Sequence, residues 1–230
     1  MSVAAVLNRL RALGSADNVA GMGRYGIPAG NALGVSVPNL RSLAKELGRN
    51  HSLALQLWDT RVHEARVLTA FIGSPKELTK AEMERIVLEI NSWDICDQLC
   101  GEFFNKHPLA YQKAVAWSKR EEEFVKRAGF VLMARLAVHD KKADDATFFA
   151  FLPLIKKESI DERNMVKKAV NWALRQIGKR NLILHEAALL SGERIAQLDN
   201  KAARWIAADA LRELRNKKTV ARIKSKKTPS

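Results

Sequence analysis

Apolar residues recur at intervals of three and four along nearly the whole chain, and strand-like alternation of β-branched with polar residues is scarce. Such spacing lines one face of an α-helix, because side chains three and four apart project together. The pattern predicts helices near 3–13, 38–49, 52–59, 61–73, 79–90, 92–105, 108–118, 121–138, 144–157, 161–178, 180–190 and 199–215. Pro38, Pro75 and Pro108 suit first helical turns, where a missing N–H costs nothing. Asn91 followed by Asp94 reads as a capping box that opens the helix carrying Trp93. Segment 21–34 holds five glycines and Pro28, and is expected to be a long ordered loop or short helices.

A repeat runs through the helices. Lys126-Arg127-Ala128-Gly129-Phe130-Val131 recurs in type at Lys167-Lys168-Ala169-Val170-Asn171-Trp172, 41 residues later (167 − 126). Glu64-Ala65-Arg66-Val67-Leu68 and Lys201-Ala202-Ala203-Arg204-Trp205 are weaker copies. A period near 40 in an all-helical chain points to HEAT-type repeats. One helical pair cannot bury its own apolar face, so pairs stack into a curved α-solenoid. An irregular bundle with accidental self-similarity is the competing reading. The expected organisation is a single repeat domain over 1–215 and a basic, disordered tail over 216–230. The basic pairs 126–127 and 167–168 open inner helices, so positive charge is expected along the concave face.

Charge narrows the function. The formal net charge is +14, of which the acid-free stretch 216–230 carries +6 and the body +8. Excess positive charge on both parts favours a polyanionic partner, and nucleic acid above all. Cys96 and Cys100 are the only cysteines, four apart on a predicted helix. That spacing suits neither a compact zinc knuckle nor a disulfide framework, and reads as buried reduced thiols in a cytoplasmic protein. No histidine has metal or triad spacing, so neither metal nor cofactor is expected. No apolar run reaches membrane-spanning length, and no signal peptide is evident.

The candidate chemistry lies in two clusters. Trp93 and Asp97 are four apart on one helix, and Trp172 and Arg175 three apart on another, so each pair shares a face. Trp and Arg suit stacking and phosphate contact, whereas phosphate repels a carboxylate. An acid kept on such a surface asks for a chemical reason. Asp94 lies near a helix start, where capping explains it. Asp97 lies deeper, where capping explains it poorly and an ordinary surface ion pair is the bland alternative. Trp58, Trp117 and Trp205 read as core.

These residues carry a family resemblance. Met22-Gly23-Arg24-Tyr25, Leu33-Gly34-Val35-Ser36-Val37-Pro38-Asn39-Leu40-Arg41, Ser92-Trp93-Asp94-Ile95-Cys96-Asp97, Lys126-Arg127-Ala128 and Lys168-Ala169-Val170-Asn171-Trp172-Ala173-Leu174-Arg175 occur in order. In that order and spacing the chain resembles the AlkD-type DNA glycosylases, the HEAT-like alkylpurine repair enzymes, over roughly residues 20–215. The resemblance implies hydrolysis of the N-glycosidic bond of cationic alkylated purines, such as N3-methyladenine and N7-methylguanine, in double-stranded DNA without a base-flipping pocket. It implies Asp97 as the catalytic carboxylate and Trp93 and Trp172 as the aromatic pair against the damaged nucleotide. Arg127 and Arg175 match its phosphate-holding positions, with Lys126 and Lys168 as further DNA contacts, and Tyr25 matches an N-terminal aromatic that approaches the DNA. The family often carries a second tryptophan where Ser92 stands here. The expected protein is a cytoplasmic monomer without cofactors. A relative that binds bent or branched DNA without excision, or a HEAT scaffold for an acidic protein, is the alternative.

Overall fold

The computed structural model describes residues 1–225. Among them the chain forms fourteen α-helices and two short 3-10 turns, and no strand. The first half holds α1 (Val3–Ala12), α2 (Ala16–Met22), a 3-10 turn over Gly23–Tyr25, α3 (Val37–Leu47), α4 (His51–Asp59), α5 (His63–Ile72), α6 (Lys80–Leu88), α7 (Trp93–Glu102) and a second 3-10 turn over Phe104–Lys106. The second half holds α8 (Ala110–Trp117), α9 (Glu123–His139), α10 (Asp145–Glu158), α11 (Asn164–Gly178), α12 (Leu182–Ala196), α13 (Lys201–Leu214) and α14 (Lys217–Lys224).

The twelve helices expected from periodicity are all present, most with ends within three residues of the forecast. Two were missed. Within α2 no residue is buried, so it has no apolar stripe to read. α14 falls in the stretch expected to be disordered; it forms because Asn216 caps it and Ile223 is buried. The remainder of that tail, 226–230, lies outside the described residues.

Cα packing groups the chain into two compact units, 1–109 and 110–230. Within each, the packing follows a two-layer rule. In the first unit α3, α5 and α7 pack in succession, with α4 against α5 and α1 against both. In the second unit α9, α11 and α13 pack in succession, while α10 and α12 form the other layer. In each unit three alternate helices thus stack in a row, the arrangement that a repeat near 40 residues predicts.

Helix starts are closed locally. Ser15, Ser36, Asn50, Asn181 and Asn200 each accept a backbone N–H three residues on. Thr79 and Glu82 form a reciprocal capping box at α6. The Gly-rich segment is held from below by one carboxylate. Glu64, buried in α5, accepts the N–H groups of Leu33, Gly34 and Val35 at 2.8, 2.6 and 3.3 Å. Gly34 has φ +77, and a Cβ there would meet the Ser15 carbonyl at 2.1 Å, so the loop can pass only as glycine.

The core takes Trp58 and Trp117, which are fully buried as expected. The thiols of Cys96 and Cys100 are also buried. Trp205 departs from expectation: it is 41% exposed on α13.

The most tightly enclosed glycine of the second unit is Gly129 of α9, where a Cβ would lie 2.4 Å from the Ser118 nitrogen. Gly129→Ala must separate α9 from the end of α8. It is expected to cost about 1–3 kcal/mol in denaturant unfolding. Gly21→Ala in α2, with open space around it, is expected to be neutral or stabilising by up to about 1 kcal/mol. Equal midpoints for the two variants would show that α8 and α9 can move apart freely.

Candidate nucleic-acid interface

The first unit contributes α7. Ile95, Cys96, Leu99 and Cys100 face its core, which leaves Trp93 and Asp97 together on a half-buried side, as the spacing of four requires. The Trp93 indole Nε1–H donates to the Tyr25 carbonyl at 2.9 Å. That bond ties the Gly23–Tyr25 turn to α7 through its backbone, and Gly26, at φ +69, turns the chain away immediately after it. The Tyr25 side chain is thereby presented to solvent, 70% exposed.

Asp94 behaves otherwise. The capping box expected from Asn91 is not formed: the N-cap is Ser92, and it makes no side-chain cap bond. Instead the Ser92 hydroxyl donates to Asp94. The other Asp94 oxygen meets His63 Nε2 at 2.7 Å. An ionised carboxylate only accepts, so the imidazole donates through Nε2–H. Burial pushes the Asp94 carboxyl upward, but the bonds from His63, Ser92 and the Ile95 N–H outweigh it and hold it below its ordinary value. The two aspartates of one helix thus have separate settings, Asp94 in a part-buried dyad with His63 and Asp97 on the side that carries Trp93. The dyad borders a cleft of about 330 Å³ whose walls include Met22, Tyr25, Val37, Leu40 and Val67.

In the second unit the expected cations divide. Lys126 and Arg127 are each only 5% exposed. Lys126 Nζ lies 2.8 Å from Glu158 and 3.3 Å from Asp161. Burial lowers the Lys126 pKa, yet the two carboxylates more than reverse this and raise it, so the ammonium stays charged inside the packing. Arg127 Nη1 donates to the Met165 carbonyl at 2.7 Å, near the start of α11. Both side chains therefore join α9 to its neighbours, where a row of surface cations is expected. Of the second basic pair, Lys168 is exposed, and Lys167 is half-buried with its ammonium 5.0 Å from the Trp205 ring centroid.

Trp172 and Arg175 do share a face of α11, both half-buried. Arg175 pairs with Glu213 of α13 and lies 3.8 Å from Asp209. Lys179 bonds the other Glu213 oxygen. Burial raises the Glu213 carboxyl, but the Lys179 and Arg175 bonds dominate and hold it low. Sequence reasoning missed Arg135, whose guanidinium carbon sits 5.1 Å from the Trp172 ring centroid. Its signal was a lone cation in the apolar run 128–138. The aromatic–cation pair on this side is thus Trp172 with Arg135, from α9, with Arg175 one turn along.

Among the described residues no group of three His, Cys, Asp or Glu is placed to hold a metal ion, and no helix is long and apolar enough to cross a membrane.

The dyad gives a pH signature. A carboxyl held below its ordinary value stabilises the fold above that value, 3.8, and the contribution is lost as pH falls through the lower folded value. Asp94→Asn is expected to lower stability at pH 7 by about 1–3 kcal/mol. It should also flatten the loss of stability expected of the native chain below pH about 4. Thermal melts at pH 7 and pH 3 check this; an unchanged acid slope would remove Asp94 as its source.

Similarity to known proteins agrees with this architecture. A search of curated proteins returns no match. Among solved structures, one described as "A new family of proteins related to the HEAT-like repeat DNA glycosylases with affinity for branched DNA structures" aligns with a TM-score of 0.78. It is 20% identical, and the match covers 92% of this chain and 95% of that one. At that identity the likeness shows the fold, an all-α HEAT-like repeat. The model of a family described as "DNA alkylation repair enzyme" matches residues 6–214. That match runs from α1 to the end of α13, and the chain belongs to the DNA alkylation repair enzyme family.

Proposed function

We propose that this protein is a DNA glycosylase that hydrolyses the N-glycosidic bond of cationic alkylated purines, N3-methyladenine and N7-methylguanine, in duplex DNA. The observation that carries the reading is α7: in a member of this repair family, one aspartate is turned into a His63 dyad and the other, Asp97, stands half-buried beside Trp93. A cationic purine is already a good leaving group. As the C1′–N bond breaks, its electron pair neutralises the base and positive charge develops on the deoxyribose. The Asp97 carboxylate stabilises that charge and orients a water. The water oxygen bonds C1′, its proton passes through the carboxylate to solvent, and a free base and an abasic site remain. The electron-rich face of Trp93 favours the same cationic sugar.

Trp172 is assigned to the damaged nucleotide, and Tyr25, Lys168 and Arg175 to the DNA backbone, contacts that place a duplex without reading its sequence. Lys126 and Arg127, being enclosed, are not assigned to DNA; they join α9 to its neighbours. The protein works as a monomer, needs no cofactor and acts in the cytoplasm, where the chromosome lies. The second reading is binding of branched DNA without excision. It is favoured by the solved relative, whose description names that affinity. A HEAT scaffold for an acidic protein has only the net charge of +14 in its favour.

The test is release of free base from an N7-methylguanine duplex at saturating enzyme. Cationic adducts are expected to be cleaved and neutral lesions such as hypoxanthine or uracil left intact. Asp97→Asn should cut single-turnover excision by at least about 100-fold. DNA affinity should hold or rise, because a charge that repels phosphate is gone. Asp94→Asn should mainly lose stability. Equal losses of rate in both variants would remove Asp97 from the reaction. Tight binding with no release of any cationic base would favour the second reading.

A further inference from the structure

Trp205 is a tryptophan that the packing leaves 41% exposed. It sits on α13 with Lys201, Ala208 and Arg212 in a stripe spaced four, three and four, and all four residues are exposed. Lys167, from the adjoining α11, reaches over the ring, and Lys168 beside it is exposed. Of the acids near this stripe, Asp209 is engaged by the Asn171 amide at 2.7 Å and by Arg212 and Arg175, and Glu162 accepts from the Asn200 amide at 3.4 Å. Asp199 pairs with Arg204 at 2.9 Å. The result is an open indole flanked by cations, with the small Ala208 leaving room along the helix.

The chemistry of that patch selects its ligand. An apolar protein surface would need a broad apolar area, and the flanks here are Lys and Arg. A small anion would need no ring. A flat π-system joined to phosphates satisfies both, and that is a nucleotide in a strand. In a duplex each base already stacks on its neighbours, so only an unpaired base has a face to offer. We propose that Trp205 is a stacking platform for an unpaired nucleobase of a single-stranded segment, with Lys168, Lys201 and Arg212 holding the flanking phosphates. The base takes the ring face that Lys167 now covers, and the ammonium moves to the adjacent phosphate. This site lies on other residues than the Trp93–Asp97 pair. It rests on the nucleic-acid reading above, but not on excision.

The test uses 2-aminopurine, whose fluorescence falls when it stacks, placed either in a 3′ single-stranded flap or within a duplex of the same length. The native chain is expected to quench the flap probe. Trp205→Ala should abolish that quenching and weaken flap binding roughly ten-fold, leaving duplex affinity within about two-fold. Trp205→Phe should restore most of the flap affinity, and Lys167→Ala should retain quenching. Native-like flap binding by Trp205→Ala would overturn the proposal. So would equal losses on flap and duplex in a variant whose melting is normal. If the native chain binds neither DNA at low salt, the nucleic-acid reading itself falls; if it binds duplex with a steep salt dependence and shows no flap quenching, only the platform does.

Discussion

Each helical pair in this chain leaves an apolar face that only the next pair can cover, and the rest of the structure depends on how those joints close. Apolar packing closes most of them. At several joints, however, charged groups are taken inside, and each must then be matched, because an unpaired buried charge costs several kcal/mol. Glu64 is matched by three backbone N–H groups. Arg66 caps the Trp58 and Glu89 carbonyls while lying over the Trp58 ring. Lys126 is matched by Glu158 and Asp161. These pairings are geometrically demanding, so they set which helix lies where more sharply than apolar contact alone.

The same logic separates charged groups drawn into the packing from those that stay nearer solvent. On α7, Asp94 is drawn inward because His63 and Ser92 offer it two donors. Asp97, one turn later, stands on the side occupied by Trp93. On α9 and α11, Lys126 and Arg127 are enclosed, whereas Lys168 remains in solvent and Lys167 leans on Trp205. A basic pair in the sequence is therefore not one kind of object. The count of 39 lysines and arginines overstates what a polyanion can touch, since several of them are paired within the packing.

The N-terminal segment shows how such a joint shapes a surface. Glu64 anchors the loop at 33–35, and the Trp93 indole anchors it again at Tyr25. Between these points the loop is rich in glycine and holds Tyr25 outward. Trp93 therefore has two duties, its N–H fixing the loop and its ring forming part of the half-buried side of α7. Ser92, buried beside it, orients Asp94 by a hydroxyl bond that a second tryptophan at that position could not make.

The sequence by itself determined the helices, the repeat and the two aromatic clusters. Helical spacing is a local property, and each inner helix carries a stripe that survives in the linear pattern. Family membership followed the same short motifs. α2 and α14 escaped because neither owns a continuous apolar stripe. Only the tertiary structure decided which charges are inside. Glu158 lies 32 residues from Lys126, and Asp161 lies beyond it, so nothing local to the basic pair announces its partners. The exposure of Trp205 and the placement of Arg135 over Trp172 are likewise set by which helix packs beside them. Burial is a property of neighbours distant in the chain, and a residue's own periodicity does not report who those neighbours are.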